Sequence, residues 1–289
     1  MIRHAALFLL CTALLLPGLA SARTTGENPL GVPRAEFAAA QEGLDLIYNR
    51  HYREALQHFE RVGVDFPDSV LGPVGREIAH QASMYERQDY SAERAYLSDA
   101  GDAEALFRRG ARQSDRAAWN AFLRGVHDGL GAMYSVRKGD NLGALNQAWE
   151  ALESMKKVER LAPDFHDVKL ASGMYDYWRT VYTERIPGLP SFGDKREQGL
   201  RLMERARNEG LLAPAPASLV LTYSYLEKGD VDAALAEAKW NQQRYPDNLL
   251  NLMVLGRIQR RKQLNSDALA TFEYAVQTAP DVPGAWFAL

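Results

Sequence analysis

The chain has 289 residues, one cysteine and a formal net charge of −3 at pH 7. So weak a charge gives no support to a nucleic-acid ligand, whose phosphates attract clustered basic residues. A single cysteine cannot form an internal disulfide, so hydrophobic burial has to stabilise the fold.

The first residues have the layout of a targeting signal. Arg3 and His4 form a short basic start, residues 5–19 are an apolar run broken by Pro17, and residues 20–22 are small, as signal cleavage requires. The apolar run is shorter than the ~20 residues that span a bilayer. We therefore expect residues 1–22 to be a cleaved signal peptide and the mature protein to be exported to the periplasm or cell envelope, with no stable transmembrane segment.

The rest of the chain predicts an all-α protein. After a flexible leader at residues 23–32, apolar residues recur at spacings of three and four, and no convincing run alternates as a strand would. Pro33 is suited to the start of the first helix. We expect the helical region to occupy residues 33–289.

Regular helix pairs are indicated at residues 36–69, 215–248 and 249–282. Each carries a small residue where two helices would cross and a proline where the second helix would stop, and the first and last also place an aromatic residue beside the crossing. In the last segment these are Gly256, Phe272 and Pro280. A missing Cβ lets two helix axes approach closely, and proline cannot donate the next helical hydrogen bond. Pro246 and Pro280 lie 34 residues apart, which is the period of one repeat family.

The central part, residues 70–213, predicts irregular helix pairs. Helices are expected near residues 95–112, 117–137, 142–161 and 165–183. Gly131 has the glycine position of a first helix, and its distance from Ala151 is about eight residues longer than in a regular repeat, so this pair should be extended. Two prolines and two glycines in residues 186–193 exclude a helix there. A new helix is predicted to begin at Asp194, with Glu197 completing a capping box.

This pattern resembles the tetratricopeptide repeat family over the mature chain. The stretches at residues 170–178 and 192–200 also look like a subgroup of exported bacterial members whose role is undefined. The resemblance implies an α-solenoid of antiparallel helix pairs, irregular in its middle, that acts as a scaffold. It implies no catalytic residue. It also implies a concave groove, lined by the first helix of each pair, that binds a protein or peptide.

Carried over to the last two repeats, the family's groove positions give one candidate partner-binding surface. It consists of Tyr223, Glu227, Met253, Arg257, Arg260 and Arg261. Guanidinium groups at this spacing can share a carboxylate or phosphate partner, whereas the simpler interpretation is a solvated helix end. The family's clamp for a peptide carboxylate needs Lys and Asn where this chain has Leu219 and Tyr223, so that clamp is not expected.

A second candidate surface is aromatic. Tyr175, Trp178 and Tyr182 share one helical face, and Phe192 lies in the loop that follows. Packing against neighbouring helices is the favoured interpretation. Recognition of a partner beside the irregular loop is the alternative.

Catalytic motifs are not found in the sequence. The helical His-Glu-x-x-His zinc motif, a Gly-rich phosphate loop and a nucleophile elbow do not occur. We therefore predict a non-catalytic scaffold without cofactor or metal. The alternatives are an enzyme or enzyme subunit that acts on envelope polymers through the 186–193 loop, and a structural protein that self-associates through its apolar end at Trp286 and Phe287.

Overall fold

The computed structural model describes residues 28–110, 116–185 and 193–286, and these are almost entirely helical without any β-strand. A 3₁₀ turn, His166–Val168, lies between two of the helices. The helices are α1 (Arg34–Tyr48), α2 (Tyr52–Asp65), α3 (Leu71–Arg87), α4 (Glu93–Gly110), α5 (Ala117–Lys138), α6 (Asn141–Leu161), α7 (Lys169–Arg185), α8 (Arg196–Glu209), α9 (Pro214–Lys228), α10 (Val231–Arg244), α11 (Leu249–Arg261), α12 (Asn265–Thr278) and α13 (Pro283–Trp286).

The end of the predicted leader packs into the core, and one prediction at a helix start is wrong. Leu30 and Val32, in the described part of the leader predicted at residues 23–32, are buried. The helix expected from Asp194 begins at Arg196 instead, and Asp194 accepts a hydrogen bond from the amide of Arg196 itself. The capping box is not formed, since Glu197 pairs with Lys228 on α9. The predicted signal peptide at residues 1–22 lies outside the described residues.

The helices pack in consecutive neighbouring pairs, α1 with α2 through α11 with α12. Glycine and phenylalanine set the closest approach in the outer pairs. A Cβ atom on Gly43 would lie 2.2 Å from the Phe59 ring, and one on Gly256 would lie 2.5 Å from the Phe272 ring. Phe59 also fills the space left by Gly75 on α3, at 2.1 Å. One aromatic ring therefore joins two successive pairs as well as the two helices of its own pair.

The long central pair uses a different glycine from the one predicted. Gly125, not Gly131, faces the Ala151 region of α6, where an added Cβ would lie 3.1 Å from the Ala151 carbonyl oxygen. Gly131 instead faces the side chain of Gln147. The small residue at the true crossing lies almost two turns earlier in α5, because both helices are longer than those of a regular repeat.

The interior of the stack is filled by its own side chains. Leu44 of α1, Val74 of α3, Leu123 of α5, Leu170 of α7 and Pro216 of α9 converge on one apolar cavity of about 40 Å³. A small-molecule pocket is typically some ~300–1,000 Å³. This central cavity is therefore too small to hold a small molecule or a peptide.

The last pairs return to the first, so the stack closes on itself. The rings of Tyr48 and Tyr245 lie 4.6 Å apart between centroids, and the Tyr245 hydroxyl donates to Asp45 at 2.8 Å. Arg50 donates to the carbonyl of Thr278 at 2.7 Å, at the end of α12. The α3 and α13 ends meet through an ion pair between Arg87 and Asp281.

Candidate functional site

The exposed arginines of α11 form the most distinctive charged surface. Arg257, Arg260 and Arg261 are all exposed, while Leu252, Leu255 and Ile258 on the opposite face are fully buried. Within the described part of the chain none of the three arginines makes an ion pair. Arg260 and Arg261 lie in the last turn, where the negative end of the helix dipole favours cations. Arg257 lies one turn earlier, outside the strongest influence of that helix end.

Neighbouring cations differ from these arginines because they are paired within the fold. Lys262 contacts Asp232, and Lys228 pairs with Glu197 at 2.5 Å. Arg207 binds both carboxylate oxygens of Glu237 at 2.7 and 3.1 Å. Arg257, Arg260 and Arg261 are left as a positive surface whose guanidinium groups remain available to an anionic ligand. We refer to these three residues as the arginine surface.

The other residues predicted for this surface pack against, or hydrogen-bond to, neighbouring helices. Tyr223 is half-buried against the α10–α11 core, and Met253 packs beside Leu249 and Leu252. Glu227 accepts a hydrogen bond from the Tyr177 hydroxyl at 2.9 Å, which ties α9 to α7. Tyr223 and Met253 therefore border the arginine surface, and Glu227 mainly connects two helices.

Tyr85 of α3 approaches this region because the stack closes. Burial raises the pKa of Tyr85; nearby Tyr223 raises it further, and the positive charge of Arg257 opposes the rise. The side chains of α3, α9 and α11 thus influence one another although they are far apart in sequence. The repeat pattern gave no signal for Tyr85, because pairs so distant in the chain are not adjacent in an open solenoid.

The second, aromatic surface is mostly internal. Trp178 is 2 % exposed and stacks edge-on against Tyr177 at 5.4 Å, so it cannot serve as an exposed anchor. Tyr175 is half-buried, lies 6.5 Å from the Trp149 ring and carries the Arg179 guanidinium over its face at 5.2 Å. The Tyr182 side chain and Phe192 lie outside the described residues, as does most of the 186–193 loop.

A buried ionic cluster joins α3, α4 and α5, and no sequence motif indicated it. His127 Nδ1 lies 3.0 Å from Glu77, and its Nε2 lies 3.3 Å from Glu104. Burial lowers the pKa of His127, but its hydrogen bond to Glu77 and the charge of that residue outweigh the effect, so the pKa is raised. Burial also raises the pKa of Glu77 and that of Asp128, the latter to about 6. Both nitrogens of the histidine ring face fold carboxylates, which leaves no ring position for a substrate.

Asp167 is a second buried carboxylate that the sequence did not single out. It accepts backbone N–H groups of Leu211, Leu212 and Ala213 at 3.0, 2.5 and 2.5 Å. Burial raises its pKa to about 6 against the opposing effect of these bonds. The residue thereby fixes the turn that starts α9 and borders the central cavity, a structural role.

No group of three or more His, Cys, Asp or Glu side chains in residues 28–110, 116–185 and 193–286 could hold a metal ion. None of the helices within those ranges is both long and apolar enough to cross a membrane.

The apolar C-terminal end is partly buried by its own chain. Val282 and Ala285 pack against Leu249, Leu252 and Val276 of the last pair. The short α13 thus covers part of the terminal pair. The Trp286 side chain and Phe287 lie outside the described residues, so self-association through them stays a prediction. No family model and no curated protein matches this chain.

Proposed function

We propose that this chain is an exported, non-catalytic α-solenoid of the tetratricopeptide type that binds a protein or peptide partner in the cell envelope. The proposal is supported by the 34-residue spacing of the repeat residues and by the signal-like start of the chain. Stacked helix pairs of this kind have extended surfaces suited to elongated ligands.

The main support for the position of the partner-binding site is the arginine surface on α11. Its three guanidinium groups are exposed and have no carboxylate partner among the described residues, whereas nearby Lys228 and Lys262 do. The central cavity among α1, α3, α5, α7 and α9 holds only about 40 Å³, which is too little for a chain. The partner therefore contacts the C-terminal end of the stack, beside Tyr223 and Met253.

The chemistry of this surface favours a partner segment with carboxylates and some apolar side chains. Planar guanidinium groups bind carboxylates through two parallel hydrogen bonds, which gives specificity as well as affinity. Met253 supplies an adaptable apolar neighbour. Binding should weaken as salt increases, because exposed charges are screened over ~10 Å at 0.1 M ionic strength.

Charge reversal tests this function. In the variant Arg257→Glu/Arg260→Glu/Arg261→Glu, the amount of partner recovered after cross-linking in cells should fall at least about tenfold. Three attractive contacts become repulsive in this variant. The matched control is Arg53→Glu/Arg61→Glu/Arg160→Glu, which changes the net charge equally at three exposed positions on α2 and α6. Equal recovery by both variants, or no attached protein in the parent, would contradict the proposal.

A further inference from the structure

Helix α4 contributes few side chains to the core. It buries only Tyr96, Asp99 and Ala103, and one of these is a charged residue. The adjacent α3, which is of similar length, buries eleven residues. Leu106 and Phe107 pack only partly against the core. Apolar burial, which usually holds a helix in place, is therefore slight for α4.

Three carboxylates of α4 supply anchors of another kind. Glu93 binds Arg137 at 2.9 Å and Lys138 at 3.3 Å, and it also accepts from the Tyr134 hydroxyl at 2.5 Å. Near the other end of the helix, Glu104 binds Arg124 at 2.6 Å and lies 3.3 Å from His127.

The third carboxylate binds the opposite neighbour. Asp99 contacts Arg76 of α3 at 2.7 Å and lies 3.4 Å from His80. A helix turns once per 3.6 residues, so Glu93 and Glu104 lie on the same side, toward α5, and Asp99 lies on the other. Tyr96 and Ala103 form the apolar stripe between them. Every anchor thus joins α4 to a cation on α3 or α5.

The groove beneath α4 is correspondingly charged and aromatic. Besides the cations already named, Glu77 of α3 and Asp128 of α5 face the same cluster. The ring of Tyr134 lies 5.5 Å from that of Tyr96, and the Phe107 ring lies 5.6 Å from that of His127. Removal of α4 would expose this face while leaving the extensive contact between α5 and α6 unchanged.

From these observations we propose that α4 is a releasable cover, held over the α3–α5 groove mainly by charge. It opens in a local unfolding step while the remaining pairs stay folded. The groove that it covers is an interaction surface for an acidic helix, because its cations are spaced to receive carboxylates from both sides of one helix. This inference does not depend on the arginine surface or on export.

Hydrogen exchange of the full chain measures the release directly. In the parent protein, amides of residues 93–110 should exchange at least about fivefold faster than those of α3 and α5, and raising NaCl to about 0.5 M should widen the difference, because salt weakens partly exposed ion pairs. Exchange of α4 at the same rate as α3 and α5 at both salt concentrations would overturn the proposal, whatever the variants do.

Neutral substitutions separate charge from packing. Glu93→Gln/Asp99→Asn/Glu104→Gln keeps the side-chain shapes and should speed exchange of α4 at least about tenfold while α9 to α12 keep their parent rates. The control Glu153→Gln/Glu197→Gln/Asp232→Asn removes three ion pairs from other helices and should leave α4 unchanged. An equal effect of both variants on α4 would show that the anchors are not what holds it.

Discussion

Gly256 lies where α11 crosses α12, and its missing side chain leaves the space that the Phe272 ring fills. Glycine inside a helix costs stability relative to alanine, by ~1 kcal/mol. Its presence here is explained by the close approach of the two helices. Gly43 and Phe59 have the same relation in the first pair, which indicates one packing rule at both ends of the molecule.

Replacement of this glycine tests the rule. Gly256→Ala should destabilise the protein by about 1–3 kcal/mol in urea denaturation, because the new methyl group overlaps the ring. Phe272→Leu in the same chain should recover part of the loss, so the two substitutions should not be additive. Gly101→Ala is the control: nothing lies within 4 Å of its Cβ position, and alanine there should stabilise α4 by ~0.5–1 kcal/mol. A stabilising Gly256→Ala would refute the rule.

Side-chain caps show a similar regularity at helix starts. Asp140, Asp230 and Asn248 each accept the backbone N–H of the residue three positions later, at the starts of α6, α10 and α11. Sequence patterns identify such residues readily, since only a few side chains can cap a helix. Asp194 was a wrong prediction of the same kind, because Arg196 competes for its carboxylate.

At the scale of the element, helix bounds could be predicted from the sequence, whereas ion pairs between helices could not. Helices α5 and α6 were predicted within a residue or two of their bounds, Ala117–Lys138 and Asn141–Leu161. Helix α4 was predicted at residues 95–112 and is Glu93–Gly110 in the structure. The ion pairs of Glu93, Asp99 and Glu104 with α3 and α5 left no pattern in the sequence, because their partners are distant in the chain.

The contact between α3, α4 and α5 should depend on pH through Asp128. Burial raises the pKa of this carboxyl from 3.8 to about 6 in the folded state. Its neutral form is therefore favoured by folding, so its contribution to stability is fully present below about pH 4 and is lost as pH rises through 6.

Asp128→Asn should remove that contribution from the pH profile. Between pH 4 and 7 the variant should lose less unfolding free energy than the parent, by on the order of 2 kcal/mol at most. Urea denaturation across this range measures it, with Asp102→Asn as a control for loss of one exposed charge. Parallel profiles for parent and Asp128→Asn would contradict the assignment.

At the scale of the whole molecule, the closure of the stack joins residues from both ends of the chain. Arg50 has a left-handed backbone, with φ of 62°. From this turn it reaches both Glu86 and the Thr278 carbonyl. The Glu86 side chain is only 3 % exposed, so its charge depends on this partner and on the Tyr52 hydroxyl.

Arg50→Ala should destabilise the protein by about 3 kcal/mol, because it leaves a buried carboxylate without its cation. Urea denaturation measures the loss, and hydrogen exchange should accelerate at the α12 end near Thr278. A partial recovery is expected from Glu86→Gln in the same chain. Arg53→Ala, at a side chain 83 % exposed and paired with Glu54, is the control. A cost of Arg50→Ala equal to that of Arg53→Ala would mean that the closure contributes little.

The amino-acid sequence by itself determined the helical class, the bounds of most helices and the places where glycine, phenylalanine and proline organise the outer pairs. These depend on neighbours three, four or a few tens of residues apart, whose spacing a single chain displays. Only the tertiary structure decided that Tyr48 meets Tyr245, that Tyr85 lies near Tyr223, and that α1, α3, α5, α7 and α9 converge on one small central cavity. Such contacts depend on the accumulated curvature of all the pairs, and small rotations at each crossing add up to a result that no local spacing specifies.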